Sequence, residues 1–222
     1  MLPVRVVRVA HAGDTHHAFA ITEEMARSAA ERGTGIARRT PEYIAEKMCS
    51  GNAVIAIATD GTWAGFCYIE SWSHNAFVAN SGLIVNPEFR GRGIAKALKK
   101  EVFELSRKKY PRAKIFGLTT GLAVMKINSE LGYRPVTYSE LTSEDKFWEG
   151  CRSCVNVHIL QQKERKNCLC TAMLFDPADK TTPEETQKWF GKKALALRRL
   201  LKIKAAKWLG TKKDKSQTLT KV

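Results

Sequence analysis

The run Ser81-Gly82-Leu83-Ile84-Val85-Asn86-Pro87-Glu88-Phe89-Arg90-Gly91-Arg92-Gly93-Ile94-Ala95 limits the possible folds more than any other stretch of the chain. Its apolar half reads as a strand ending at Val85. Pro87, which has no N–H to give to a ladder, stops it. Two glycines then alternate with arginines, and a helix begins. Glycines at alternate positions let backbone N–H groups converge on an anion, because no Cβ blocks the approach. The helix start adds partial positive charge, and Arg90 and Arg92 add full charges. The combination suits a pyrophosphate; the alternative is a plain strand-to-helix turn that uses glycine for shape. A G-x-G-x-x-G loop after a first strand is missing, which argues against a dinucleotide fold. No G-x-x-x-x-G-K-[ST] occurs, which excludes a P-loop.

The flanking periodicities build a mixed α/β chain. Pro3 to Ala10 alternates as a strand. Asp14 and Thr15 are expected to cap a helix to about Arg32, stopped by Gly33-Thr34-Gly35. Thr40-Pro41, a cap followed by proline, opens a second helix ending near Cys49-Ser50-Gly51. Ala53–Ala58 and Trp63–Trp72 are strands joined by the Asp60-Gly61 turn, and Phe77–Val85 is a third antiparallel strand. After the glycine loop come a helix from Ile94 to about Lys109, a strand over Lys114–Thr119 and a helix over Leu122–Leu131, ended by Gly132. Val136–Glu140 and Leu169–Phe175 read as further strands.

The formal charge of +15 on 222 residues favours an anionic partner. After Thr181, twelve Lys or Arg stand against three acids, so the tail carries most of that charge. Glu184 to Leu209 reads as a basic amphipathic helix with Phe190, Ala194, Leu197, Leu201, Ala205 and Trp208 on its apolar side. Such a helix docks on its own domain or on a sister subunit of a homodimer; an acidic membrane face or nucleic acid is the alternative partner. No apolar run reaches the roughly 20 residues of a membrane span, and no signal peptide is read at the N-terminus. The expected location is cytoplasmic, with reduced cysteines. Cys151-x-x-Cys154 and Cys168-x-Cys170 could enclose a structural zinc; buried thiols are the alternative.

The run V-N-P-E-F-R-G-R-G-I-A resembles the acyl-CoA motif of the GNAT N-acetyltransferases, in which Arg90, Gly93 and Ala95 fit the pattern Q/R-x-x-G-x-G/A. Met125-Lys126-Ile127-Asn128-Ser129-Glu130-Leu131-Gly132-Tyr133 resembles the second motif of that family, with one strand between the two. The resemblance covers roughly residues 3 to 140. It implies an α/β (α+β) fold with a mostly antiparallel sheet flanked by helices, here with the basic helix at its C-terminus. The domain reading is then a 1–140 catalytic core, a 141–180 cysteine-containing extension and a 181–222 basic tail.

The resemblance also implies a transferase that moves an acetyl or related acyl group from acetyl-CoA, or another acyl-CoA, to a primary amine. The donor pyrophosphate would rest on Arg90, Gly91, Arg92, Gly93, Ile94 and Ala95, and the pantetheine would pair with Leu83, Ile84 and Val85. The N–H near Leu83 would polarise the thioester carbonyl as an oxyanion donor. Family members often protonate the leaving thiolate from a tyrosine three residues before Leu-Gly; here that position is Asn128, which can hydrogen-bond the sulfur or a water but is no acid. Gly121 stands where related motifs often carry asparagine. Strand alternation turns Ser81 the same way as Leu83, where it could position a water. Glu70 is read as a base, an amine anchor or a solvated carboxylate.

The acceptor is expected against the first two helices and their connection, which carries Arg38 and Arg39, with Thr119 nearby. Paired arginines suit an acceptor carboxylate; a solvated basic loop is the alternative. These segments also resemble a bacterial GNAT group associated with arginine biosynthesis, candidate N-acylglutamate synthases, which implies a small amino acid such as glutamate as the amine acceptor. A protein or RNA acceptor, and a non-catalytic zinc-bearing module for nucleic acid or membranes, are the competing functions.

Overall fold

The computed structural model describes residues 3–33 and 37–179. The basic helix read over Glu184–Leu209 lies outside them, as do Thr34, Gly35 and Ile36. Seven strands form one sheet: β1 (Val4–Val9), β2 (Ala53–Ala58), β3 (Trp63–Trp72), β4 (Phe77–Val85), β5 (Lys114–Thr119), β6 (Arg134–Val136) and β7 (Thr171–Phe175). Their order is β1-β2-β3-β4-β5-β7-β6. All neighbours are antiparallel except β4 and β5. This is the mixed, mostly antiparallel α/β architecture expected from the pattern.

Helices α1 (Ala18–Arg32) and α2 (Pro41–Cys49) cover one face of the sheet; α3 (Ile94–Lys109) and α4 (Leu122–Glu130) cover the other. On α3, Ile94, Leu98, Val102 and Leu105 recur at helical spacing and are buried against Val54, Cys67, Ile69 and Ile115. Burying each such side chain contributes about 1.5–3 kcal/mol. On the opposite face, Ile21 and Met25 of α1 join Ile44 and Met48 of α2 over Ile55, Phe66, Tyr68 and Ile84. The Thr40 hydroxyl accepts from the Tyr43 N–H at 3.3 Å with Pro41 next in line, as the sequence indicates.

Three expectations are corrected. Asp14 does not cap α1. It accepts from the His11 N–H at 2.9 Å and from both Arg8 guanidinium nitrogens at 2.7 and 2.8 Å, so a 3₁₀ turn over Ala12–His17 precedes the helix. The strand read over Val136–Glu140 stops at Val136. A 3₁₀ turn follows because the Tyr138 ring turns inward, stacks on Trp148 at 5.5 Å and donates its hydroxyl to the Cys170 carbonyl at 2.8 Å. The last strand starts at Thr171 rather than Leu169. Residues 141–170 carry two short helices, α5 (Asp145–Glu149) and α6 (Val157–Gln162), which pack Trp148 and Leu160 against Phe116 and Leu174.

Candidate active site

Strands β4 and β5 pair only at Phe77–Lys114, Val78–Ile115 and Ala79–Phe116. Beyond those rungs β4 stays with β3 and β5 with β7, so the two parallel strands part. A cavity of about 880 Å³ opens there, walled by residues 80–83 of β4 and by the end of β5 with its following turn, 117–121. A split between parallel strands leaves backbone groups without partners in the middle of a sheet, which suits a ligand able to pair with them.

The parting strand is bulged. Phe66 faces Ile84 and Tyr68 faces Ser81, so Gly82 and Leu83 together stand opposite Cys67. Gly82 holds φ +65°, and a Cβ there would lie 2.4 Å from the Tyr68 ring. Only glycine makes this bulge. The extra residue has a consequence that alternation missed. Ser81 shares the face of its partner Tyr68, with α1 and α2, whereas Leu83 packs with α3. The expectation that Ser81 and Leu83 point the same way is therefore wrong; they line the cavity from opposite faces of the sheet.

On the α3 face, the turn before the helix holds Gly91 and Gly93 at φ +76° each, with Gly93 at the N-cap. The N–H groups of Ile94 and Ala95 open the helix, where amides lack intrahelical partners and attract anions. Arg90 and Arg92 differ from expectation in where their charge goes. Arg90 donates to Glu24 at 2.7 Å and Ser28 at 3.0 Å, tying the loop to α1. Arg92 lies over the Phe89 ring and donates to the Glu88 carbonyl at 2.6 Å. Both guanidinium groups are thus engaged within the protein, and the turn itself presents backbone. Asn128, at the end of α4, is 1 % exposed, faces the cavity, and its Oδ1 has no partner among the described residues. A buried acceptor without a donor costs about 1–3 kcal/mol, and a ligand amide N–H would satisfy it.

On the α1–α2 face, Arg39 donates from Nε to the Tyr68 hydroxyl at 2.9 Å and from Nη1 to the Arg38 carbonyl at 3.0 Å, with its guanidinium over the Tyr43 ring. Glu70 is ion-paired with Lys47 at 3.1 Å and lines the same cavity. Burial pushes the Tyr43 and Tyr68 phenols up, so both remain neutral donors. Arg38 is exposed, and its N–H donates to Ser153 at 2.9 Å. Thr119 ends β5 on the cavity wall and accepts from the Gly121 N–H at 3.1 Å. The structure thus brings Arg38, Arg39, Glu70, Ser81 and Thr119 to one cavity with Leu83 and Asn128.

Cys151, Cys154, Cys168 and Cys170 also line this cavity. Burial raises the Cys151 thiol to about 11 and the Cys170 thiol to about 12, so both are protonated near neutrality. Among the described residues no group of three or more His, Cys, Asp or Glu is placed to hold a metal ion. Of the two readings of these cysteines, a structural zinc and buried thiols, the zinc is therefore not supported. Cys168 and Cys170 both precede β7.

Sequence reading missed Lys99, Tyr68, Tyr43 and Asn80, all on the cavity wall. Lys99 falls beside Leu98 on the buried arc of α3, a signal masked by its neighbours Lys96 and Lys100.

Residues 23–123 match the sequence model of the acetyltransferase (GNAT) family. No curated protein sequence matches the chain. Solved structures share the fold. One is N-acetylglutamate synthase from Neisseria gonorrhoeae, complexed with coenzyme A and N-acetyl-glutamate: TM-score 0.56 and 18% identity, covering 78% of this chain and 35% of that one. This chain therefore spans about a third of that protein's length. Another is Rv2747 from Mycobacterium tuberculosis, in complex with CoA: TM-score 0.53 and 19% identity, covering 77% and 98%. A third is the diaminobutyrate acetyltransferase EctA from Paenibacillus lautus, with L-2,4-diaminobutyric acid and coenzyme A: TM-score 0.53 and 12% identity, covering 82% and 99%. Among the described residues no helix is long and apolar enough to cross a membrane.

Proposed function

We propose that this chain, which carries a GNAT acetyltransferase domain over residues 23–123, moves an acyl group from acyl-CoA to the amino group of a small amino acid bearing a second carboxylate, such as glutamate. The observation that carries the reading is the single cavity lined by Leu83 and Asn128 on one face of the sheet and by Arg39 and Glu70 on the other. It is supported by the ligands of structures with the same fold, coenzyme A with N-acetyl-glutamate among them.

The donor pyrophosphate rests on the Gly91–Ala95 backbone, and the pantetheine adds to β4 where β5 has left it. The thioester carbonyl meets a backbone N–H at the Gly82–Leu83 bulge, a donor placed where negative charge develops. Arg39 Nη2, which makes no hydrogen bond among the described residues, receives the acceptor carboxylate. Glu70, already tied to Lys47, anchors the acceptor ammonium rather than acting as a strong base. The amine proton leaves to water before attack.

Incubation with acetyl-CoA and a panel of amino acids, reading released thiol, tests this. Release with glutamate or a similar dicarboxylic amino acid is the expected result. No release with any small amine overturns it.

A further inference from the structure

We propose that Lys99 is the acid that protonates the departing coenzyme A sulfur, in the place that Asn128 cannot fill. The inference rests on the acyl-transfer reading above. Lys99 is 2 % exposed, and what exposure it has is on the wall of the active-site cavity. Its ammonium makes no ion pair or hydrogen bond among the described residues. It faces the Tyr133 ring at 5.3 Å and the thiol of Cys67. Cys67 is the residue opposite the bulge, and its Sγ donates to the Ser81 carbonyl at 3.2 Å. The ammonium therefore lies beneath the bulge on the α3 face, together with Leu83 and Asn128.

A lysine held in such a place is costly. Burial lowers its pKa, bringing proton donation closer to neutral pH. Cys67 acts against this without outweighing it. Cys67, which burial raises to about 11, and Tyr133, which burial holds well above the ordinary phenol value, are both neutral at that pH. Asn80 is engaged by the Tyr133 hydroxyl at 2.8 Å and by Ser106 at 2.8 Å. An unpaired buried cation aimed into a cavity is explained by an anion that appears there only during turnover. The thiolate leaving group is such an anion.

The step balances. The neutral amine attacks the thioester carbon, and the C–S bond of the tetrahedral adduct breaks with its electron pair going to sulfur. The Lys99 ammonium gives that sulfur a proton, yielding free coenzyme A. The neutral Lys99 is reprotonated through water by the proton that the attached nitrogen loses on forming the amide.

The test uses the full chain with coenzyme A alone, so that it needs no acceptor. The bound thiol is titrated by its thiolate absorbance, with the desulfo-coenzyme A complex subtracted to cancel protein groups. In the native chain the bound thiol is expected to ionise at least about tenfold more readily than free coenzyme A, whose thiol resembles that of cysteine near 8.5. Lys99→Met should abolish the difference and Lys99→Arg restore part of it. Equal titration of the native and Lys99→Met complexes overturns the proposal, and failure of coenzyme A to bind overturns it together with the acyl-transfer reading. In turnover with acetyl-CoA and glutamate, Lys99→Met should lower kcat by about 10²–10⁴-fold, leave KM for acetyl-CoA within about threefold and remove the alkaline fall in kcat. An unchanged kcat–pH profile rejects Lys99 as the acid. A native chain that binds coenzyme A but releases no thiol with any amine refutes the acyl-transfer reading and the acid role with it, while the titration then shows only whether Lys99 lies against the bound sulfur.

Discussion

Arg39 reaches across from the start of α2 to β3, its Nε donating to the Tyr68 hydroxyl at 2.9 Å. That bond holds the guanidinium on the cavity wall, where Nη2 makes no hydrogen bond among the described residues. Tyr68 is itself 1 % exposed and pinned under the Gly82 bulge. One buried phenol thus links Arg39 to the bulged backbone at Gly82.

Arg39→Gln should raise KM for a dicarboxylic acceptor by about 10–100-fold, the loss of roughly 1.5–3 kcal/mol in a charged hydrogen bond. Coenzyme A affinity should be unaffected. Calorimetric titration with coenzyme A beside acceptor saturation kinetics checks both halves. A parallel loss of coenzyme A binding would place Arg39 in the donor site.

Gly91→Ala and Gly82→Ala should separate binding from stability. At Gly91 a Cβ meets nothing within 4 Å, so the cost is the positive φ, about 1–2 kcal/mol, plus obstruction of the phosphates. Gly82→Ala adds a clash with the Tyr68 ring and should cost roughly 2–4 kcal/mol. Thermal unfolding is expected to fall mainly in the second variant, and the dissociation constant for coenzyme A to rise clearly in both.

Asp14 should make the chain acid-sensitive. Burial alone would raise its carboxyl, but the Arg8 guanidinium and the His11 N–H outweigh that and hold it below the usual range. The stabilisation is complete above the unfolded value, about 3.9, and is lost as pH falls through the depressed folded value. Asp14→Asn should cost about 1–3 kcal/mol at neutral pH and flatten the acid limb of a urea-denaturation series. An unaltered acid limb would show that other carboxylates set it.

Lys99 should act in the opposite sense. Its folded pKa is lowered by burial, so between that value and about 10.4 the unfolded chain binds more protons and stability rises with pH. Lys99→Met should therefore stabilise the chain at neutral pH, by about 1–4 kcal/mol, with the gain shrinking as pH rises. Urea midpoints at several pH values read this directly.

Local signals made the frame legible. The Asp60-Gly61 turn, closed by the Thr62 N–H on Asp60 at 2.9 Å, announced β2 and β3. Thr40-Pro41 announced α2, and the alternating glycines marked the helix start of α3. What stayed hidden depended on distant partners. The bulge looks like ordinary alternation until Cys67 is set opposite two residues. Asp14 resembled a cap until Arg8 was placed beside it. Residues 141–170 form helices of five and six residues, too short to show a period, and they hold their shape through Trp148, Leu160 and the Tyr138 hydroxyl.

The bulge that sets Ser81 and Leu83 on opposite faces also governs the order of events. Two ligands that enter a sheet from its two sides need not wait for one another. Initial-velocity lines for donor and acceptor should therefore intersect rather than run parallel, as for a ternary complex without an acyl-enzyme. A bisubstrate inhibitor joining coenzyme A to glutamate would have to be threaded through the split between β4 and β5, and its linker length would measure the thickness of the sheet.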